Sequence, residues 1–239
     1  MFRQGKPRTF VHNLKLASML SFVAGIVNIN GVLAAHTLTT NVTGHFAFFA
    51  ADFVQHRYQH ALMFILYIMF FLLGAFVCSV LLEMFLRIRP AFSHAVPMFI
   101  EMTLLISVAF NFFLMNDYVI ACVLLFAMGL QNALVTRISK STVRTTHLTG
   151  LFTDLGIELS QLFFYKLPEE SKKLRRSIYL RIVIILFFFF GGVLGGFLYL
   201  DIGLKALLLA AVTLAVALSF DFVRFSLLYY PRKFFKQQN

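Results

Sequence analysis

One short phrase occurs twice in this chain. Thr39-Thr40-Asn41-Val42-Thr43-Gly44 returns as Thr145-Thr146-His147-Leu148-Thr149-Gly150, and each copy follows a long apolar segment. Upstream, Gly25 and Asn28 match Gly129 and Asn132 at a spacing of 104 residues. Downstream, Asp52 and Gln55 match Glu158 and Gln161 at a spacing of 106. Polar punctuation repeated in this way marks two copies of one structural unit. If each unit crosses a membrane an odd number of times, the copies face opposite ways, as in many secondary transporters.

The membrane itself follows from composition. Hydrophobic residues make up 60% of the 239, charged residues 13%, and mean hydropathy is +0.83, far from the soluble norm. Apolar stretches run roughly over Leu16–Ala35, Ala61–Leu82, Ala95–Met115, Tyr118–Val135, Ile178–Leu200 and Leu204–Phe225. Each is near the ~20 residues that cross a hydrocarbon core of ~30 Å as a helix. The short alternating segments of a transmembrane barrel are absent. The expected fold is an all-α integral membrane protein of six transmembrane helices in a single domain. It divides into inverted three-helix repeats at about 16–115 and 118–226, with basic tails at 1–15 and 227–239.

A formal net charge of +11 invites a nucleic-acid reading, but the positions of the charges exclude it. Six spans with a cytoplasmic N-terminus gather Arg3, Lys6, Arg8 and Lys15 inside, then Arg87 and Arg89, then the run from Arg137 to Arg176, then Arg232, Lys233 and Lys236. Only Arg57 and Lys205 fall in outside connections. This is the positive-inside asymmetry, and it puts both termini in the cytoplasm. The leader Met1–Lys15 lacks the cleavage pattern of a secretory signal and reads as an uncleaved anchor. Tyrosines cluster at the expected span ends, with Tyr67 an exception. Cys78 and Cys122, in different spans, read as packing residues.

Two segments are neither loops nor full spans. Gly44–His56 and Gly150–Lys166 are apolar, Phe-rich and too short to cross. Thr43-Gly44 and Thr149-Gly150 read as helix starts, with Thr as the cap and Gly permitting an unusual backbone. Each segment is then a short re-entrant or interfacial helix. If both dip inward, their free N–H groups favour an anion or a polar oxygen near the midplane.

The candidate site follows from polar groups that recur in both halves. Asn28, Asn132 and Gln131, with Thr43, Gly44, Thr149 and Gly150, are expected to line a substrate cavity between the repeats. His147, Asp154 and Glu158 fall within about 20° of one line on a continuous helix. With Asp52 and Glu101 they form the expected ion- or proton-coupling set, because carboxylates near spans need protein, water or a partner. The bland alternative pairs the acids with Arg144 and Arg137, and Asp221 with Arg224. Gly74-Ala75 with Cys78-Ser79, and Gly191-Gly192 with Gly195-Gly196, are small-xxx-small patterns expected to pack helices between the repeats or across a dimer. The charged stretch Lys166–Ser177 reads as an insertion in the second repeat.

Ala24-Gly25-Ile26-Val27-Asn28, Asn41-Val42-Thr43-Gly44-His45, Met128-Gly129-Leu130-Gln131-Asn132-Ala133, and Val143 to Gly150 with Thr153-Asp154-Leu155-Gly156 together resemble the signature of the YoaK family. These are bacterial multi-span membrane proteins grouped as a domain of unknown function. The likeness runs from about Leu16 to Leu227. It departs at Asn28, where the family often has Asp, and at His45, where it usually has Asn. The resemblance implies an integral protein of the bacterial plasma membrane and no particular substrate. The leading expectation is a transporter or permease for a small polar or anionic solute or an ion, surrounded by membrane lipids, without cofactor or nucleic acid. A homo-oligomer stays open. The alternatives are a structural or regulatory membrane protein, and a membrane-embedded metal enzyme using His45, His56, His147, Asp52, Asp154 and Glu158. The second is the weaker, since these spacings match no standard ligand motif.

Overall fold

The computed structural model describes residues 10–88, 93–111, 115–138, 146–164 and 168–234, with side chains described except at 12, 13, 138, 168 and 221–234. These residues form α1 (Phe10–Ala35), α2 (Val42–Val54), α3 (Tyr58–Ile88), α4 (Ala95–Ala109), α5 (Asp117–Ile138), α6 (Leu148–Gln161), α7 (Pro168–Ile202), a 3-10 turn (Gly203–Ala206) and α8 (Leu207–Phe234). No strand occurs among the described residues. Arg144, and the side chains of Asp221 and Arg224, lie outside them.

Among the described residues, four stretches are long and apolar enough to cross a membrane: Leu14–Ala35, Tyr58–Ile88, Asp117–Arg137 and Glu169–Phe220. The last, of 52 residues, takes in α7, the 3-10 turn and α8. Gly203, at φ 62°, makes that turn between the exposed charges of Asp201 and Lys205. The helix α4 is shorter than the expected span, at 15 residues or about 22 Å. It stops because Asn111 turns into the left-handed region (φ 45°) and its side chain accepts from the Met115 amide at 2.7 Å. The stretch Lys166–Ser177 is no loop from Pro168 onward, since α7 starts there. Proline suits a first helical position, and Glu169 and Glu170 complement the dipole.

Packing divides the long helices into two layers of exposure. Of an 18-residue apolar window in each, 67% is buried in α1 and in α5, against 28% in α3 and 17% in the window from Glu169–Phe220. Thus α1 and α5 form the middle, touching where the Gln131 amide donates to the Leu20 carbonyl at 2.6 Å. The chief partner of α1 is α7, and that of α3 is α5.

Glycines make both pairings possible. A Cβ on Gly25 would sit 2.1 Å from the Phe188 carbonyl oxygen, and one on Gly191 would sit 2.2 Å from that of Phe22. The same reciprocal contact joins α3 to α5: Gly74 faces the Phe126 oxygen at 2.1 Å and Gly129 the Phe71 oxygen at 2.0 Å. Any larger residue would force these backbones apart. Both pairs run parallel, because contacts advance together along the two chains. Phe10 meets Tyr179, Gly25 meets Phe188, and Ile29 meets Gly196. On the other pair, Gly74 meets Phe126 and Glu83 meets Arg137. The small-xxx-small patterns therefore join helices within the chain, each from a different half. Cys78 and Cys122 are buried and free.

Candidate functional site: two inward bends and their carboxylates

After Ala35 the chain turns at His36 (φ 50°) and runs back along α1. The Thr37 amide donates to the Gly31 carbonyl at 3.1 Å, and Thr39 lies on Gly31, where a Cβ would meet its methyl at 2.3 Å. The Thr40 hydroxyl then donates to Asn28 Oδ1 at 2.9 Å. Asn28 lies seven residues before Ala35, so α2 begins roughly 10 Å back from the end of α1. The second half has the equivalent anchor. The Thr146 hydroxyl donates to Asn132 Oδ1 at 3.0 Å, and Asn132 lies six residues before the end of α5. Asn28 and Asn132 are thus the anchors of two matching bends.

The caps differ from the expected ones. Asn41, not Thr43, caps α2, accepting from the Gly44 amide at 3.0 Å, because its short carbonyl reaches the first free N–H groups. His147 occupies the equivalent position before α6 without a side-chain cap bond. Thr43 and Thr149 fall in the first turn and are exposed. The glycines serve the cap residues: a Cβ on Gly150 would strike the His147 ring at 2.3 Å, and one on Gly44 would crowd Asn41 at 3.2 Å. His147 stands outside the helix that carries Asp154 and Glu158, so the straight line expected through all three is broken at the cap.

Behind the α2 cap, His45 is fully buried. Its Nε2–H donates to the Leu38 carbonyl at 2.8 Å while Nδ1 lacks a partner. The ring packs on Phe64 and Tyr67 of α3 at 5.9 and 5.6 Å between centroids. Burial holds this imidazole below the usual histidine value, with the Leu38 bond pulling the other way. Tyr67, the tyrosine away from the span ends, is buried against the His45 ring beside the bend.

Each short helix is tied by carboxylate to the long helix that follows. Asp52, 4% exposed, is paired with Arg57 and with His60 of α3. Glu158 accepts from the Ser177 hydroxyl at 2.6 Å and from Arg181 Nε at 2.9 Å, and Asp154 accepts from the same guanidinium at 2.8 Å. Arg181, on α7, is therefore the partner of this acid pair. Arg137 instead binds Glu83. Sequence reasoning did not single out His60 or Ser177. They stand at matching places, 117 residues apart, and sliding α3 onto α7 by its glycines would have found them.

A cavity of about 340 Å³ opens beside this ion pair, lined by Glu158, Gln161, Glu170, Lys173, Leu174 and Ser177. Asn28, Asn132, Thr43 and Thr149 do not border it. Deeper, Gln131 is fully buried with Oε1 unpartnered, and Glu101 on α4 is fully buried with both carboxylate oxygens unpartnered. Among the described residues, no three His, Cys, Asp or Glu side chains gather as a metal site.

No curated protein and no solved structure matches the chain. A family model described as "Protein of unknown function (DUF1275)" matches residues 16–220, most of the chain's length. With its paired inward bends inside that span, the chain belongs to the DUF1275 family.

Proposed function

We propose that the chain is a plasma-membrane transporter or permease for a small polar solute or an ion. On this reading it has six spans in two inverted repeats, with both termini cytoplasmic. The observation that carries the reading is the matched pair of bends, at which α2 and α6 start well inside the ends of α1 and α5 and are anchored on Asn28 and Asn132. Broken helices whose starts lie within the membrane are how many repeat-built transporters form a site. Irregular backbone at that depth is tolerated only where protein or a water-filled cavity surrounds it. The likeness to the YoaK family's bacterial membrane proteins is in keeping with this placement.

The glycine contacts sharpen the mechanism. They lock α1 to α7 and α3 to α5 through backbone, so the moving bodies are these mixed pairs rather than the two halves of the sequence. The Thr40–Asn28 and Thr146–Asn132 bonds join a long helix of one pair to a short helix resting on the other. They act as the hinges between the bodies.

Uptake by reconstituted vesicles against a panel of small solutes tests the reading. Asn28→Leu and Asn132→Leu should abolish flux with folding retained, while Thr40→Val and Thr146→Val, which remove the hinge bond from its other side, should only slow it. Normal transport by both asparagine variants would sink the site. One observation favours the second reading, a structural or regulatory membrane protein: both asparagines already have a partner inside the bend. Equal loss in the threonine variants would favour it.

A further inference from the structure

The groups expected to bind ions separate sharply by environment. Asp52, Asp154 and Glu158 are each paired with a cation, and His147 is exposed. Glu101 is neither paired nor exposed: none of its surface is accessible, and no donor reaches either oxygen. It shares the buried face of α4 with Pro97, Met98, Leu105 and Val108, and α4 rests on α5 and α8 and more lightly on α3 and the 3-10 turn.

Among the described residues, no cation on those elements meets it. On α3 the buried thiol is that of Cys78, which carries no cation. Glu83, also on α3, is held by Arg137 of α5. The other α5 groups are buried Cys122 and, at the exposed start of the helix, Asp117 and Tyr118. Lys205 of the 3-10 turn is exposed, and α8 carries no titratable side chain as far as Phe220. An unpaired carboxylate in such surroundings is prohibitively costly, and a group so placed takes up a proton instead.

We propose that Glu101 is a proton-binding site inside the membrane domain, a neutral carboxylic acid in this conformation that ionises only when the packing of α4 on α5 and α8 opens. This rests on the transporter reading for its use, since it makes the proton the coupling ion. The chemistry at Glu101 stands without that reading.

Dicyclohexylcarbodiimide, an apolar probe of protonated carboxyls, tests it on the full chain in detergent. The acid proton passes to one carbodiimide nitrogen as a carboxyl oxygen bonds to the central carbon. The resulting O-acylisourea then rearranges to a stable N-acylurea, with no oxidant or leaving group. Peptide mass spectrometry should place the adduct on Glu101 and not on paired Asp52. Labelling should fall about tenfold per pH unit once the acid ionises, and Glu101→Gln should abolish it. In parallel, the infrared carbonyl band of a protonated carboxyl should shift in deuterium oxide and vanish in Glu101→Gln. Absence of that band in the native chain overturns the proposal whether or not the probe reaches the site. Protection by sodium at constant pH also overturns it, in favour of a metal-cation site. Labelling together with the band, but without flux for any solute, would uphold the proton site and reject the transporter.

Discussion

The short helices α2 and α6 begin at matching points of the repeated phrase and leave matching asparagines, and each has an ion pair, yet the balance of forces that seats them differs. Helix α2 buries His45 and Asp52 and leans on the aromatic group Phe64 and Tyr67 of α3. Helix α6 buries only Leu151 and is held to α7 largely by one guanidinium shared between Asp154 and Glu158. The threonine-to-asparagine anchor recurs in both halves, while the attachment differs. A seat of buried rings resists salt and loosens little, whereas an ionic seat is adjustable. If one bend is the moving gate, this difference marks α6.

The sharpest way to break the contrast is to empty the aromatic seat. His45→Ala removes a buried ring and its bond to Leu38, and should lower stability by about 2–4 kcal/mol. Thermal unfolding in detergent would record it, and an unchanged midpoint would refute the seat. Next in size, Arg181→Gln leaves Glu158 and Asp154 without their cation. It should lower the free energy of opening of α6 by about 1–3 kcal/mol in hydrogen exchange, with α2 amides unaffected. Salt gives a gentler version. Between 0.1 and 1 M the screening length falls from ~10 to ~3 Å, so exchange in α6 should quicken while α2 stays slow. Equal response of both helices would erase the distinction. Smallest is Gly156→Ala. A Cβ there meets nothing within 4 Å, so the change should steady α6 by roughly 0.5–1 kcal/mol through backbone entropy alone. Gly150→Ala, by contrast, must displace His147.

Much of this was legible because it is local. The repeated phrase located both short helices, whose first residues Val42 and Leu148 are 106 apart, the spacing of the phrase itself. The small-xxx-small patterns identified the helices that approach closely. What escaped needed partners distant in sequence. Arg181 lies 23 and 27 residues from its acids, beyond any helical periodicity, so nearer arginines seemed adequate. The cap on Asn41 rather than Thr43 turned on a two-residue difference in where the backbone becomes helical. The shortness of α4 depended on Asn111 adopting a left-handed conformation inside an apolar run. The isolation of Glu101 is a property of every neighbour at once, and no single segment carries it.

The glycine contact between α1 and α7 has a consequence for how the chain is made. Synthesis runs from the N-terminus, and segments assemble in that order. Gly74 finds its partner Phe126 after 52 further residues, but Gly25 must wait 163 for Phe188. Until then α1 keeps an open backbone groove at Gly25 that only a late helix fits. A chain interrupted anywhere before α7 therefore leaves that groove unfilled. Only the last third of the sequence closes it.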